Sequence, residues 1–256
     1  MISPANRGKD ETTLRMLDRG NGRRLAFRQS QGAAPIILFL PGYMSDMAGS
    51  KASALEACAS AHGRACRRFD YGGCGVSPGA FEAQSLADWR DDVLAMIDDL
   101  APAPVVLVGS SMGGWLMLLA ALARPGRVAG LLGIAAAPDF TDWGFSDAQK
   151  AAIRSEGRLL EASSYGDQPI VTTRAFWESG ETLLLLDRQI PIDCPVRLLH
   201  GQADLDVPFA ISLRLAEQLR SADVQTILIK DGDHRLSRDA DLALLLHTLD
   251  RLLDRP

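Results

Sequence analysis

Short apolar runs recur along the chain at Ile36 to Leu40, Cys66 to Phe69, Val105 to Val108, Val128 to Ile134, Val196 to Leu199 and Val224 to Ile229. They are continuous rather than alternating, which is the pattern of parallel strands covered on both faces. Between them lie stretches with helical spacing: Lys51 to Ala61, Leu86 to Leu100, Met112 to Ala123, Phe209 to Leu219 and Ala240 to Leu253. Strand and helix in alternation predict an α/β fold with a doubly wound, mostly parallel sheet. Ahead of this region, Thr12 to Asp18 and Arg23 to Gln29 flank Arg19-Gly20-Asn21-Gly22. That turn chemistry predicts an antiparallel hairpin leading the sheet.

One connection breaks the rhythm. More than fifty residues separate Ala137 from Cys194, where a single crossover helix needs far fewer. The expectation is one domain over residues 1–256, with a helical lid inserted at about 138–193. Ser146-Asp147-Ala148-Gln149 has the form of a capping box opening a helix through about Arg154. Tyr165-Gly166-Asp167-Gln168-Pro169 reads as a turn between two short segments, and a further helix is predicted around Ala175 to Leu186. Trp143, Phe145, Leu159, Leu160, Phe176, Trp177 and Leu183 to Leu186 are too apolar for a solvated loop. Most are assigned to the lid's own core and the rest to an acyl pocket.

Gly109-Ser110-Ser111-Met112-Gly113 joins the Val105 strand directly to the Met112 helix. A G-x-S-x-G in that context is a nucleophile elbow, with Ser111 at its tip and Ser110 at the strand end. Nucleotide-binding alternatives fit poorly, since neither a P-loop lysine nor a G-x-G-x-x-G accompanies the glycines. A serine nucleophile needs a base, and four histidines are available: His62, His200, His234 and His247. His62 ends a helix, His247 lies inside one, and His200 closes a strand where it can approach the site without being the base. His234 sits in Asp231-Gly232-Asp233-His234-Arg235, between the last strand and the last helix, at the carboxyl edge of the sheet. His234 is therefore the predicted base.

The acid is expected in Gly201-Gln202-Ala203-Asp204-Leu205-Asp206-Val207-Pro208. Asp206, two before a proline, suits a helix N-cap, which leaves Asp204 as the predicted triad carboxylate and Asp206 as the alternative. The oxyanion donors are expected to be the NH of Met112 and that of Tyr43 in Pro41-Gly42-Tyr43-Met44-Ser45, with Met44 the runner-up. Asp70 and Tyr71 read as loop-fixing residues, and Cys74 as a packed thiol.

A length of 256 residues suffices for one large core, with roughly 70 to 75% of the unfolded surface buried. A net charge of -5 with no basic stripe argues against nucleic acid or an anionic membrane as partner. Four cysteines without a C-x-x-C pair suggest buried thiols in a reducing compartment. No apolar stretch reaches spanning length, and Met1 to Glu11 lacks the apolar run of a signal peptide. A cytoplasmic location is the resulting expectation, with no cofactor and no metal.

With Pro41-Gly42-Tyr43, Arg68-Phe69-Asp70-Tyr71, Val108 to Leu118, Cys194 to Gly201 and Asp233-His234-Arg235, the chain resembles the α/β-hydrolase superfamily. Within it, the likeness is to palmitoyl-protein thioesterases and acyl-glucuronide esterases, from about Ile36 to the C-terminus. The resemblance implies Ser111 as nucleophile, Asp204 as acid and His234 as base. It also implies an ester or thioester substrate, such as an S-acylated protein. A small-molecule carboxylesterase is the alternative, and a non-catalytic binding module with this fold is the contrasting class. A departure from these relatives is expected in two places, the absence of a mitochondrial leader and a loosely matching lid.

Overall fold

The computed structural model describes residues 12–20, 22–100, 102–163 and 166–254. The leading hairpin forms as β1 (Arg15–Asp18) and β2 (Arg24–Ser30), which pair antiparallel; Asn21 of its turn lies outside the described residues. The apolar runs become β3 (Ala33–Leu40), β4 (Arg64–Phe69), β5 (Val105–Ser110) and β6 (Val128–Ile134). Between β3 and β6 lie α1 (Ser50–Ala61), α2 (Leu86–Asp99) and α3 (Met112–Ala123). A short 3-10 turn at Phe81–Ala83, which periodicity does not reveal in three residues, precedes α2.

The connection after β6 holds α4 (Phe140–Trp143), α5 (Asp147–Glu156), β7 (Arg158–Glu161), β8 (Ile170–Thr173) and α6 (Arg174–Glu181). Then come β9 (Val196–Gly201), α7 (Ala210–Gln218), β10 (Val224–Ile229) and α8 (Asp239–Leu253). The main sheet has eight strands in the order β1-β2-β4-β3-β5-β6-β9-β10. Only the β1–β2 and β2–β4 pairs are antiparallel. From β4 to β10 every pair is parallel, as continuous apolar runs require.

Two buried layers flank the sheet. One joins α2, α3 and α7 through residues such as Trp89, Met96, Trp115, Leu116 and Leu215. The other joins α1 and α8 through Ala52, Leu55, Leu245, Leu249 and Leu252. Helices on both faces force the sheet's loops to its two edges, and the carboxyl edge collects the turns after β3, β5, β9 and β10.

The insertion matches its expected form in two respects and departs from it in two. Its capping box is present, with Ser146 Oγ accepting from the Gln149 NH. The expected turn at 165–169 joins the antiparallel β7–β8 ribbon, although Ser164 and Tyr165 lie outside the described residues. Helix α6 stops at Glu181 instead of continuing to Leu186, because Leu185 and Leu186 give their NH groups to the Asp139 carboxylate. Asp139 thereby ties the entry of the insertion to its exit. Nor do the apolar residues form chiefly a core of their own: Phe176, Leu185 and Leu186 belong to the layer beneath α2 and α3.

Candidate active site

Ser111 sits between β5 and α3 with φ 55° and ψ −120°, a left-handed conformation costly for a residue bearing a Cβ. The turn is held by its own backbone, since the Ser111 NH donates to Ile134 O (2.9 Å) and Ser111 O accepts from Gly114 and Ala137. Close approach explains the glycine two residues on: a Cβ on Gly113 would stand 2.1 Å from Leu40 O. The hydroxyl is thus lifted from a buried strand end, while Ser110 stays buried as expected of a strand residue.

Helix α8 is preceded by the loop carrying His234, and β9 by its end delivers Asp204. His234 Nε2 lies 3.1 Å from Ser111 Oγ, and Nδ1 lies 2.8 Å from Asp204 Oδ2. A carboxylate can only accept, so Nδ1 carries the proton and Nε2 offers its lone pair to the Ser111 hydroxyl. The loops meet at a glycine contact, where a Cβ on Gly201 would fall 2.1 Å from Gly232 O. Asp233 steadies the turn by accepting from the Leu236 NH at 2.9 Å.

The Asp204 side chain is fully buried. Burial alone would raise its pKa, but hydrogen bonds from His200 and His234, the His234 charge and the Val207 NH outweigh it. The carboxyl is held well below the usual range. Its other oxygen accepts from the Asp206 and Val207 NH groups at 2.9 and 2.8 Å. Asp206 does not cap a helix: α7 begins at Ala210, and Phe209 precedes it. The Asx-type turn made by Asp204 occupies the backbone there instead. Even so, an Asp206 oxygen lies within 4.8 Å of the ligand atoms of Asp204 and His234.

His200 is the residue whose role the sequence did not reveal. It is fully buried at the end of β9, with Nε2 2.9 Å from Val207 O and 3.2 Å from Asp204 Oδ2. Facing two acceptors, Nε2 must be the donor, so Nδ1 accepts from the Ser212 hydroxyl at 2.6 Å. The clue was a histidine at the end of a mostly apolar strand.

The loop after β3 lies against Ser111, since a Cβ on Gly42 would stand 3.3 Å from Ser111 Cβ. Among the described residues the NH groups of Tyr43, Met44 and Met112 donate to no protein acceptor. Tyr43 OH donates to Val171 O on β8 at 2.5 Å, and its ring meets Phe176 (4.8 Å), Phe81 (5.3 Å) and Trp89 (5.7 Å). Burial pushes its phenol above the ordinary range. Phe140 links this group to Trp115 on α3, with ring centroids 5.7 Å apart. Asp70 and Tyr71 fix loops as expected: the carboxylate accepts from Met47 and Val76, and the phenol donates to Pro41 O. Burial pushes the Cys74 thiol up to about 12, and nearby Asp70 adds to it, so it stays protonated. A surface cavity of about 520 Å3 near β1, the end of α2 and Arg124 shares no residue with this constellation.

A family model described as serine aminopeptidase, S33 (Hydrolase_4), matches residues 32–174. The human protein named palmitoyl-protein thioesterase ABHD10, mitochondrial, is 43% identical over 96% of this chain and 82% of its own length. The structure of mouse alpha/beta hydrolase domain-containing protein 10 superposes with a TM-score of 0.89 at 41% identity, covering 94% of this chain and 98% of that one. A putative hydrolase from Agrobacterium vitis S4 gives 0.88 at 36% identity, covering 95% and 99%.

The expected cytoplasmic location is corrected by these relatives. The human protein and its counterparts from Pongo abelii and Bos taurus are all named as mitochondrial, so the cytoplasmic expectation does not stand. The expectation rested on composition and on residues 1–11, which lie outside the described structure; an organelle address is read by receptors and leaves no mark on the packing of the core. With the fold shared over nearly the whole chain and relatives above 40% identity, the chain belongs to the α/β-hydrolase family and is a hydrolase.

Proposed function

We propose that the protein is an acyl thioesterase that works through an acyl-enzyme on Ser111, with S-acylated proteins as its substrate class. The observation that carries this reading is the hydrogen-bonded line from Ser111 Oγ through His234 to buried Asp204. His234 Nε2 takes the hydroxyl proton as Ser111 Oγ attacks the thioester carbonyl, and Asp204 stabilises the imidazolium. Negative charge on the carbonyl oxygen is met by the NH groups of Tyr43 and Met112. When the tetrahedral intermediate collapses, the C–S bond breaks and the thiol leaves with the proton from His234. Water, deprotonated by the same nitrogen, then releases the carboxylic acid and frees Ser111.

Residues 138–193 serve in this reading as a lid over the carboxyl edge. The aromatic group around Tyr43, Phe140 and Phe176 suits a fatty acyl chain better than a sugar ester. The names of the mammalian relatives favour the same acyl group. Hydrolysis of palmitoyl, octanoyl and acetyl thioesters should be compared with that of aryl and glucuronide esters. Increasing kcat/KM with acyl length is expected. A flat series, or faster turnover of the glucuronide ester, would contradict the acyl-chain assignment and favour a small-molecule carboxylesterase.

A further inference from the structure

Away from the hydrolytic site, α1 and α8 bring three metal-ligating side chains together. Cys58 and His62 stand four residues apart on one face at the end of α1, and Asp250 approaches them from α8. One ligand atom of each lies within 4.8 Å of the others. Cys58 Sγ is 3.5 Å from His62 Nδ1, and that nitrogen is 2.9 Å from Cys58 O. Two donors on one tetrahedral zinc ion, with Zn–S near 2.3 Å and Zn–N near 2.0 Å, are about 3.6 Å apart. Either ring nitrogen can serve. An Nδ1–H bonded to the carbonyl leaves the lone pair on Nε2, and the other tautomer presents it beside the thiol.

The electrostatics favour a cation at this position. Among the described residues no cation or NH group takes the Asp250 carboxylate. A dication would neutralise the Asp250 carboxylate: on binding, the thiol gives its proton to solvent, Sγ and a carboxylate oxygen coordinate as anions, and imidazole binds neutral. Sulfur and nitrogen donors exclude magnesium and calcium, which require oxygen ligands.

We propose that Cys58, His62 and Asp250 form a binding site for a divalent ion of the zinc class, with water at the fourth position. The ion would tie the end of α1 to the end of α8 over the layer built on Leu55, Ala59, Leu249 and Leu252. Both helices run away from the carboxyl edge that carries Ser111, so the site lies at the opposite edge of the sheet. Occupancy should therefore stabilise the fold and leave hydrolysis unchanged.

Titration of the reduced protein with zinc, followed by calorimetry and thermal unfolding, tests this directly. One equivalent is expected to bind and raise the melting temperature, while magnesium has no effect. Cys58→Ser, His62→Ala and Asp250→Asn, all at partly or fully exposed positions, should each weaken binding at least about tenfold. Cobalt should give a thiolate charge-transfer absorption that Cys58→Ser abolishes. Asp204, Asp206 and His234 form a second cluster, which makes His234→Ala the control. Binding lost in His234→Ala but retained in Cys58→Ser would overturn the proposal, as would inhibition at one equivalent or no binding. Failure would leave the hydrolase assignment untouched, because hydrolysis is measured without added metal.

Discussion

His200 and Lys51 show how single residues outside the reacting atoms govern the site. His200 →Asp204 bonding is one reason the carboxyl stays charged, so His200→Ala should lower kcat by about 10- to 100-fold with KM little changed. With one donor gone, the Asp204 carboxyl should rise toward its ordinary value, and activity should fall off at higher pH on the acid side. An unchanged kcat and pH profile would mean that His200 only fills space. Lys51 donates to Arg235 O, next to His234 in sequence. Burial, helped by the Arg235 charge, lowers its amine to about 8 from 10.5. Between those values the unfolded chain holds the extra proton, so stability contributed at Lys51 should increase as pH rises through that window. Denaturant midpoints of the wild type and Lys51→Met at about pH 7 and about pH 10 check the sign; the wild type should gain relative to the variant at the higher pH. Ser111 itself was readable from the glycines and the flanking strand and helix. His200 was not, because its partners Ser212 and Val207 reach it only through the packing of α7 on β9.

At the scale of elements, the insertion is bound to the site through the residue expected to donate to the oxyanion. Tyr43 OH reaches β8, while the Trp115 indole donates to Leu183 O and the Trp177 indole to Thr141 O. Tyr43→Phe keeps the NH and the ring but leaves the half-buried Val171 O without this donor, a loss of about 1 kcal/mol. We expect a lower melting temperature together with a higher KM for long acyl thioesters; a variant with wild-type KM would uncouple β8 from acyl binding. Strands β3, β5 and β6 were predictable because burial on both faces makes them mostly apolar, and β9 and β10 because each holds a short apolar run. The four-residue α4 and the end of α6 were not, since both depend on Asp139, whose φ of 61° and bonds to Leu185 and Leu186 are set by tertiary structure. Asp206 was misread for a related reason: Asp204 accepts from the Asp206 and Val207 NH groups and turns the chain ahead of Pro208, and α7 begins at Ala210, three residues later than a cap at Asp206 would place it.

For the whole molecule, the doubly wound sheet explains why residues as distant as Ser111, Asp204 and His234 converge. Each follows a parallel strand, and all such strands end at one edge. That rule made the constellation accessible from chain order alone, while the packing of the insertion depended on how it folds back. Two buried layers, one on each face, keep the edge rigid enough to hold a strained serine in place. The central claim is that Ser111 becomes covalently acylated, and intact-mass analysis with peptide mapping after reaction with a fluorophosphonate probe tests it most directly. One adduct per chain on Ser111 is predicted, absent in Ser111→Ala and reduced by prior incubation with palmitoyl thioester. An unlabelled wild type, or an adduct on another residue that persists in Ser111→Ala, would contradict the account.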